Sequence, residues 1–154
     1  MTQQAVRHYF AYGSNMNPAR VADRGLSVLG AQAGVLKGFR LLFNKMSRDH
    51  NGVGHANIEF DRHSVVEGVL YELAHPDDIL KMDPFERAPW NYGREVVAIR
   101  QGQNTTWAWT YFANPAVKIA GLRPPRAYMA HLLAGEVYLS QGYLQQLHGH
   151  PLHD

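Results

Sequence analysis

The sequence predicts a mixed, sheet-rich α+β domain, and three observations carry that prediction. Runs rich in Val, Ile, Thr and aromatic residues at 8–12, 35–43, 55–60, 64–73, 94–101 and 105–113 have strand length and are divided by short clusters of turn residues. Helix-forming segments with start and stop signals stand between and after them, at 18–24, from Pro76, and in the last third. With 154 residues, of which 45% are hydrophobic and 18% charged, the chain has the size and composition of one globular domain with a real core.

The elements follow in order. His8 to Tyr12 is aromatic and small, suits a buried strand, and breaks abruptly into Gly13-Ser14-Asn15, where Gly13 offers backbone angles closed to other residues. Asn17 is an N-cap and Pro18 a first helical residue for a short helix to Arg24 that Gly25 stops. Val35 to Phe43 reads as a strand with a bulge at Gly38, and polar Asn44 to Gly54 reads as a long loop, a candidate substrate contact. His55–Phe60 and Ser64–Leu73, separated by Asp61-Arg62-His63, have hairpin spacing. Pro76-Asp77-Asp78 opens a helix that cannot run far past Pro84, which leaves Glu86 at or just after its end. Arg94–Gln101 and Thr105–Ala113 form a strand pair joined by Gly102-Gln103-Asn104. Met129, Leu133 and Val137 mark one face of a helix over 126–138, and Leu144 and Leu147 a second short helix capped near Ser140 or Gln141-Gly142. Residues from about 144 to 154, with three histidines around Pro151, read as a loose tail more than as a metal site.

Composition removes several classes of function. The chain has no cysteine, which excludes disulfides, thiolate metal sites and cysteine nucleophiles and suits a reducing compartment. Its pI near 9.0 hints at nucleic acid, yet the net charge is only +2 and the basic residues are scattered, so no nucleic-acid partner is expected. Met1 to Arg7 lacks the features of a secretory signal, and no run approaches the roughly 18 apolar residues of a membrane span. A cytoplasmic protein without a membrane partner is the expectation.

The run Tyr9-Phe10-Ala11-Tyr12-Gly13-Ser14-Asn15-Met16 resembles the opening signature of the γ-glutamylcyclotransferase family, the γ-glutamylcyclotransferase-like or AIG2-like fold. The resemblance continues in family order through Gly54-His55-Ala56-Asn57-Ile58, Val66 to Tyr71, Leu80 to Glu86, Thr110-Tyr111-Phe112 and Pro124 to Tyr128. It implies an α+β domain over 1–154 with a strongly curved or barrel-like sheet and peripheral helices. It also implies a cofactor-independent, metal-free enzyme that cyclises the γ-glutamyl group of a small amide substrate to 5-oxoproline and releases the amine. A homodimer is left open.

By the same resemblance Glu86 is the catalytic acid–base group. Gly13, Ser14 and Asn15 offer backbone N–H groups to the substrate with Tyr12 buried behind them, Tyr111 and Tyr128 line the pocket as hydroxyl donors, and Tyr92 lines it beside them. Read locally, each has a plainer alternative: a strand-to-helix turn, a surface carboxylate at a helix end, and core tyrosines. The Gly-Ser-Asn-Met form of the loop, in place of Gly-Ser-Leu, favours the branch acting on γ-glutamyl amino acids. Two other functions fit the same residues: a non-catalytic binding or interaction domain, and a γ-glutamyl amide hydrolase or acyltransferase.

Overall fold

A computed structural model describes residues 5–49 and 51–154. Part of the N-terminal segment (1–4) and His50 of the expected 44–54 loop lie outside the described residues. Among those described, five strands close a barrel in the order β1-β3-β2-β4-β5: β1 His8–Ala11, β2 Val28–Met46, β3 Gly54–Leu73, β4 Tyr92–Gln101 and β5 Asn104–Ala113. Neighbours are antiparallel except β1 and β5, which meet in parallel at Tyr9 and Trp109 and close the ring. Four α-helices lie around it: α1 Pro18–Asp23, α2 Ile79–Glu86, α3 Arg126–Leu133 and α4 Gln141–Gly149. The mixed barrel with peripheral helices is the α+β architecture that the sequence implies.

β2 and β3 form one long hairpin paired from Val28 with Leu73 to Met46 with Gly54. The expected hairpin at Asp61-Arg62-His63 is corrected, because both arms of β3 pair with the same strand β2. The turn signal is nevertheless physical. Lys37 pairs with Val65 and Phe39 with Phe60, so residues 61–64 bulge opposite Gly38, whose φ is +86°. Asp61 accepts hydrogen bonds from the His63 N–H (3.1 Å) and the Ser64 hydroxyl (2.7 Å), which holds the kink without reversing the chain. The bulge bends two very long strands so that a few strands can close a barrel.

Three further expectations change. The 44–54 loop is shorter, since β2 runs on to Met46. The helix over 126–138 stops at Leu133 and leaves Val137 exposed. At Gly135 the chain passes so close to the 3-10 turn Ser14–Met16 that a Cβ would lie 2.9 Å from the Met16 Cβ, and α3 packs against that turn. The tail is not loose: Ser140 caps α4, Leu147 is buried, the His150 ring packs on Phe43 at 4.7 Å, and the His153 N–H donates to the Pro124 carbonyl. No helix among the described residues is long and apolar enough to cross a membrane.

Candidate active site

Everything at the site hangs from the end of β1. Tyr9, Phe10, Ala11 and Tyr12 are buried, so the strand is fixed by the core on its way into the Gly13 loop. There the chain makes the 3-10 turn Ser14–Met16, and the Asn17 side chain accepts from the Ala19 N–H to start α1 with Pro18 in its first turn. The Tyr71 hydroxyl donates to the Asn15 carbonyl at 2.7 Å and clamps the turn to β3. The N–H groups of Gly13 and Asn15 find no acceptor among the described residues. Gly13 has a φ of −115°, so the reason for glycine is room and not a left-handed backbone. A Cβ there would sit 3.0 Å from the Ala56 Cβ and 3.2 Å from the Tyr128 hydroxyl.

Glu86 is the last residue of α2 and projects into the same cavity as the Gly13 loop. The helix ends because Arg87 takes a left-handed conformation, with the Ala88 N–H returning to the Asp83 carbonyl. Asn15 is the hub that orients the carboxylate. Its Nδ2 donates towards Glu86 Oε1 (3.3 Å), the Tyr9 hydroxyl (2.9 Å) and Met82 Sδ (3.3 Å), and its Oδ1 accepts from Arg24 Nη1 at 3.1 Å. Arg24 Nη1 also lies 3.9 Å from Glu86 Oε1. From the sequence Asn15 is expected to act through its backbone, whereas its buried side chain also couples the loop to α2.

Burial pushes the Glu86 carboxyl above the ordinary carboxylate range; Arg24, Lys45 and Arg20 oppose this and Asp83 adds to it. The side chain is 17% exposed and lines the cavity. It is therefore a carboxyl able to hold and to release a proton nearer neutrality than a surface glutamate.

The four tyrosines divide by what their hydroxyls do. Tyr12 donates to the Tyr111 carbonyl (2.6 Å) and Tyr92 to the Ala56 carbonyl (2.7 Å). Tyr111 lines the cavity with its ring, but its hydroxyl donates to Asp83 Oδ1 at 2.6 Å, which corrects the expectation that it offers a free donor. Asp83 is held in turn by Arg94 Nε at 2.9 and 3.2 Å. The Tyr128 hydroxyl accepts from the Ala56 N–H at 3.0 Å, and its own proton has no acceptor among the described residues. Burial raises the pKa of all four phenols, Tyr128 to about 12, so each remains a proton donor near neutrality.

The cavity measures about 260 Å³ and is lined by all eight residues singled out from the sequence. It also contains Arg20, Arg24, Lys45 and His55, which the sequence reading passes over. Arg20 on the helix that follows the loop and Arg24 at its C-cap stand four apart, a spacing that places both on one side. Lys45 falls within the segment marked as a substrate contact. Arg20 Nε is buried without a partner, and Arg20 Nη1 lies 3.4 Å from His131 Nε2. His55 stacks on Tyr128 and is held neutral near pH 7, its pKa lowered to about 4 by burial and then by Lys45 and Arg20. The site thus joins a proton-carrying carboxyl, free backbone N–H groups, one phenol donor and a cationic wall. Such a set suits acid–base acyl chemistry on an anionic substrate.

Comparison with known proteins gives the same fold. One solved structure, a γ-glutamyl cyclotransferase, superposes with a TM-score of 0.79 at 20% identity, covering 96% of this chain and 89% of the other. An uncharacterized protein from Homo sapiens gives 0.82 at 21%, covering 98% and 91%. A γ-glutamyl cyclotransferase specific to glutathione from yeast gives 0.65 at 14%, covering 94% of each chain. No curated protein sequence matches the chain. The family model described as γ-glutamyl cyclotransferase, AIG2-like, matches residues 9–131, and the chain belongs to that family.

Proposed function

We propose that the protein is a γ-glutamylcyclotransferase that converts γ-glutamyl amides to 5-oxoproline and a free amine. The observation that carries this reading is the meeting of Glu86, with its raised pKa, and the free N–H groups of the Gly13 loop in one cavity. The reaction is an intramolecular aminolysis, so the enzyme supplies no nucleophile. It folds the substrate so that the α-amine faces its own γ-carbonyl, which is worth several kcal/mol of barrier, about 7 or more in well-aligned cases.

In this scheme Glu86 takes a proton from the α-ammonium, and the freed nitrogen attacks the γ-carbon as the carbonyl electrons move onto oxygen. The Gly13 and Asn15 N–H groups and the Tyr128 hydroxyl serve that oxyanion. A second proton passes from the attacking nitrogen to the amide nitrogen, the C–N bond breaks, and Glu86 returns its proton to the departing amine. The lactam keeps one of the three ammonium protons, the amine leaves with two more than it had as an amide, and Glu86 is regenerated. Arg20, with its unpartnered Nε, faces the substrate α-carboxylate.

Incubation with γ-glutamyl dipeptides, glutathione and γ-glutamyl-lysine, with chromatographic detection of 5-oxoproline and glutamate, tests the reading. Appearance of 5-oxoproline supports it. Free glutamate would assign a hydrolase, and no product from any compound would leave a binding domain.

A further inference from the structure

The mouth of the cavity lies at the C-terminal end of α2. Among the described residues that line the cavity only Phe85 and Arg87 are exposed, and the rest are buried or half-buried. These two flank Glu86 in sequence and mark where the cavity meets solvent. Phe85 is a large aromatic residue left 49% exposed, yet its ring is not loose. The Arg24 guanidinium lies over it, 5.1 Å from the ring centre, and Arg24 is itself held by Asn15 and Glu86. The mouth therefore carries a fixed ring whose apolar surface is still partly in water. Leu80 and Trp90, the other exposed apolar side chains on α2 and in the turn after it that are at least as open to solvent, do not line the cavity.

A γ-glutamyl group has one size and must bring its carbonyl to the Gly13 loop and Glu86, whereas the amine attached to it varies in size. Only the end open to solvent accommodates that variation, so the amine points past Phe85. A held ring with uncovered apolar surface gains most from an aromatic or apolar group laid on it, because both surfaces then leave water. A cationic group gains less, since Arg87 stands at the same rim.

We propose that Phe85 is a specificity-determining residue that packs against the side chain of the leaving amine, so that γ-glutamyl compounds whose amine carries an aromatic or large apolar side chain are preferred over γ-glutamyl-alanine. This rests on the cyclotransferase reading above.

The test compares γ-glutamyl-phenylalanine with γ-glutamyl-alanine, which differ only in a phenyl group, in the wild type, Phe85→Ala, Phe85→Tyr and Leu80→Ala. The wild type should prefer the phenylalanine compound in kcat/KM by on the order of 10-fold, the usual weight of partly burying one aromatic ring against another. Phe85→Ala should bring the ratio towards one, whereas Phe85→Tyr and Leu80→Ala should retain it, with folding checked by circular dichroism. Any loss of the Arg24 contact in Phe85→Ala acts on both compounds alike and cancels in the ratio. A wild-type ratio of one or below, a ratio that survives Phe85→Ala, or an equal fall in Leu80→Ala overturns the proposal. Calorimetric binding of both compounds to Glu86→Gln gives the ratio without turnover. Absence of 5-oxoproline would then sink the cyclotransferase reading alone, while equal binding would sink the role of Phe85.

Discussion

At the scale of single residues the proposed reaction turns on one carboxyl. Glu86→Gln keeps the side-chain shape and an Oε1 that can still accept from Asn15 Nδ2, but it cannot take a proton. Turnover should fall by about 10²–10⁴-fold, the usual contribution of a general acid–base group, and the loss should appear in kcat more than in KM. In the wild type kcat/KM should decline as pH drops through the Glu86 value, which burial holds above the ordinary glutamate value of about 4.3. Steady-state assays of 5-oxoproline release check both. That Glu86, Gly13, Ser14, Asn15 and Tyr128 line one cavity is legible from the sequence because they stand in contiguous motifs. Arg20, Lys45 and the hydroxyl partner of Tyr111 are not, because their meaning comes from segments far apart in sequence. Tyr111 and Asp83 are separated by 28 positions, and no local pattern links them.

At the scale of elements, α2 is the part that must be held still, and three groups hold it. Asp83 on α2, Arg94 on β4 and Tyr111 on β5 join the helix to the barrel one turn before Glu86, with Arg94 also lying 4.4 Å over the Trp109 ring. Phenylalanine at Tyr111 and at Tyr128 should therefore give different results. Tyr111→Phe removes a bond that Arg94 still shares, so stability should fall by about 1 kcal/mol with a modest effect on kcat. Tyr128→Phe removes the free donor at the loop and leaves the buried Ala56 N–H unpaired, so it should cost about 1–3 kcal/mol and lower kcat/KM as well. Urea unfolding beside kinetics separates the two. The same scale explains why strand positions were legible and their connections less so. Strand composition marks a local environment, whereas whether Asp61-Arg62-His63 reverses the chain or kinks it is decided by β2, which pairs with both arms.

For the whole molecule, a site that needs a buried carboxylate imposes a cost on the fold, and its sign can be worked out. The native pKa of Glu86 is raised by burial above its unfolded value. Between those two values the folded protein binds more protons than the unfolded chain, so this group's contribution to stability is fully present below the unfolded value of about 4.3 and is lost as pH rises through the native value. Glutamine has no proton to lose and escapes the penalty. Glu86→Gln should therefore melt above the wild type at pH 7, and the gap should shrink as pH falls to about 4. All other titrating groups are common to both proteins and largely cancel in the difference. The opposing force is the Arg24 contact, but at 3.9 Å it does not reverse the direction of the shift. A chain of this size moves its Tm by about 2–4 °C per kcal/mol, within reach of thermal melts at matched pH. A variant that melts lower than the wild type at pH 7, with the gap closing in acid, would mean that the ion pair outweighs burial and that Glu86 lacks the raised pKa its proton transfer requires.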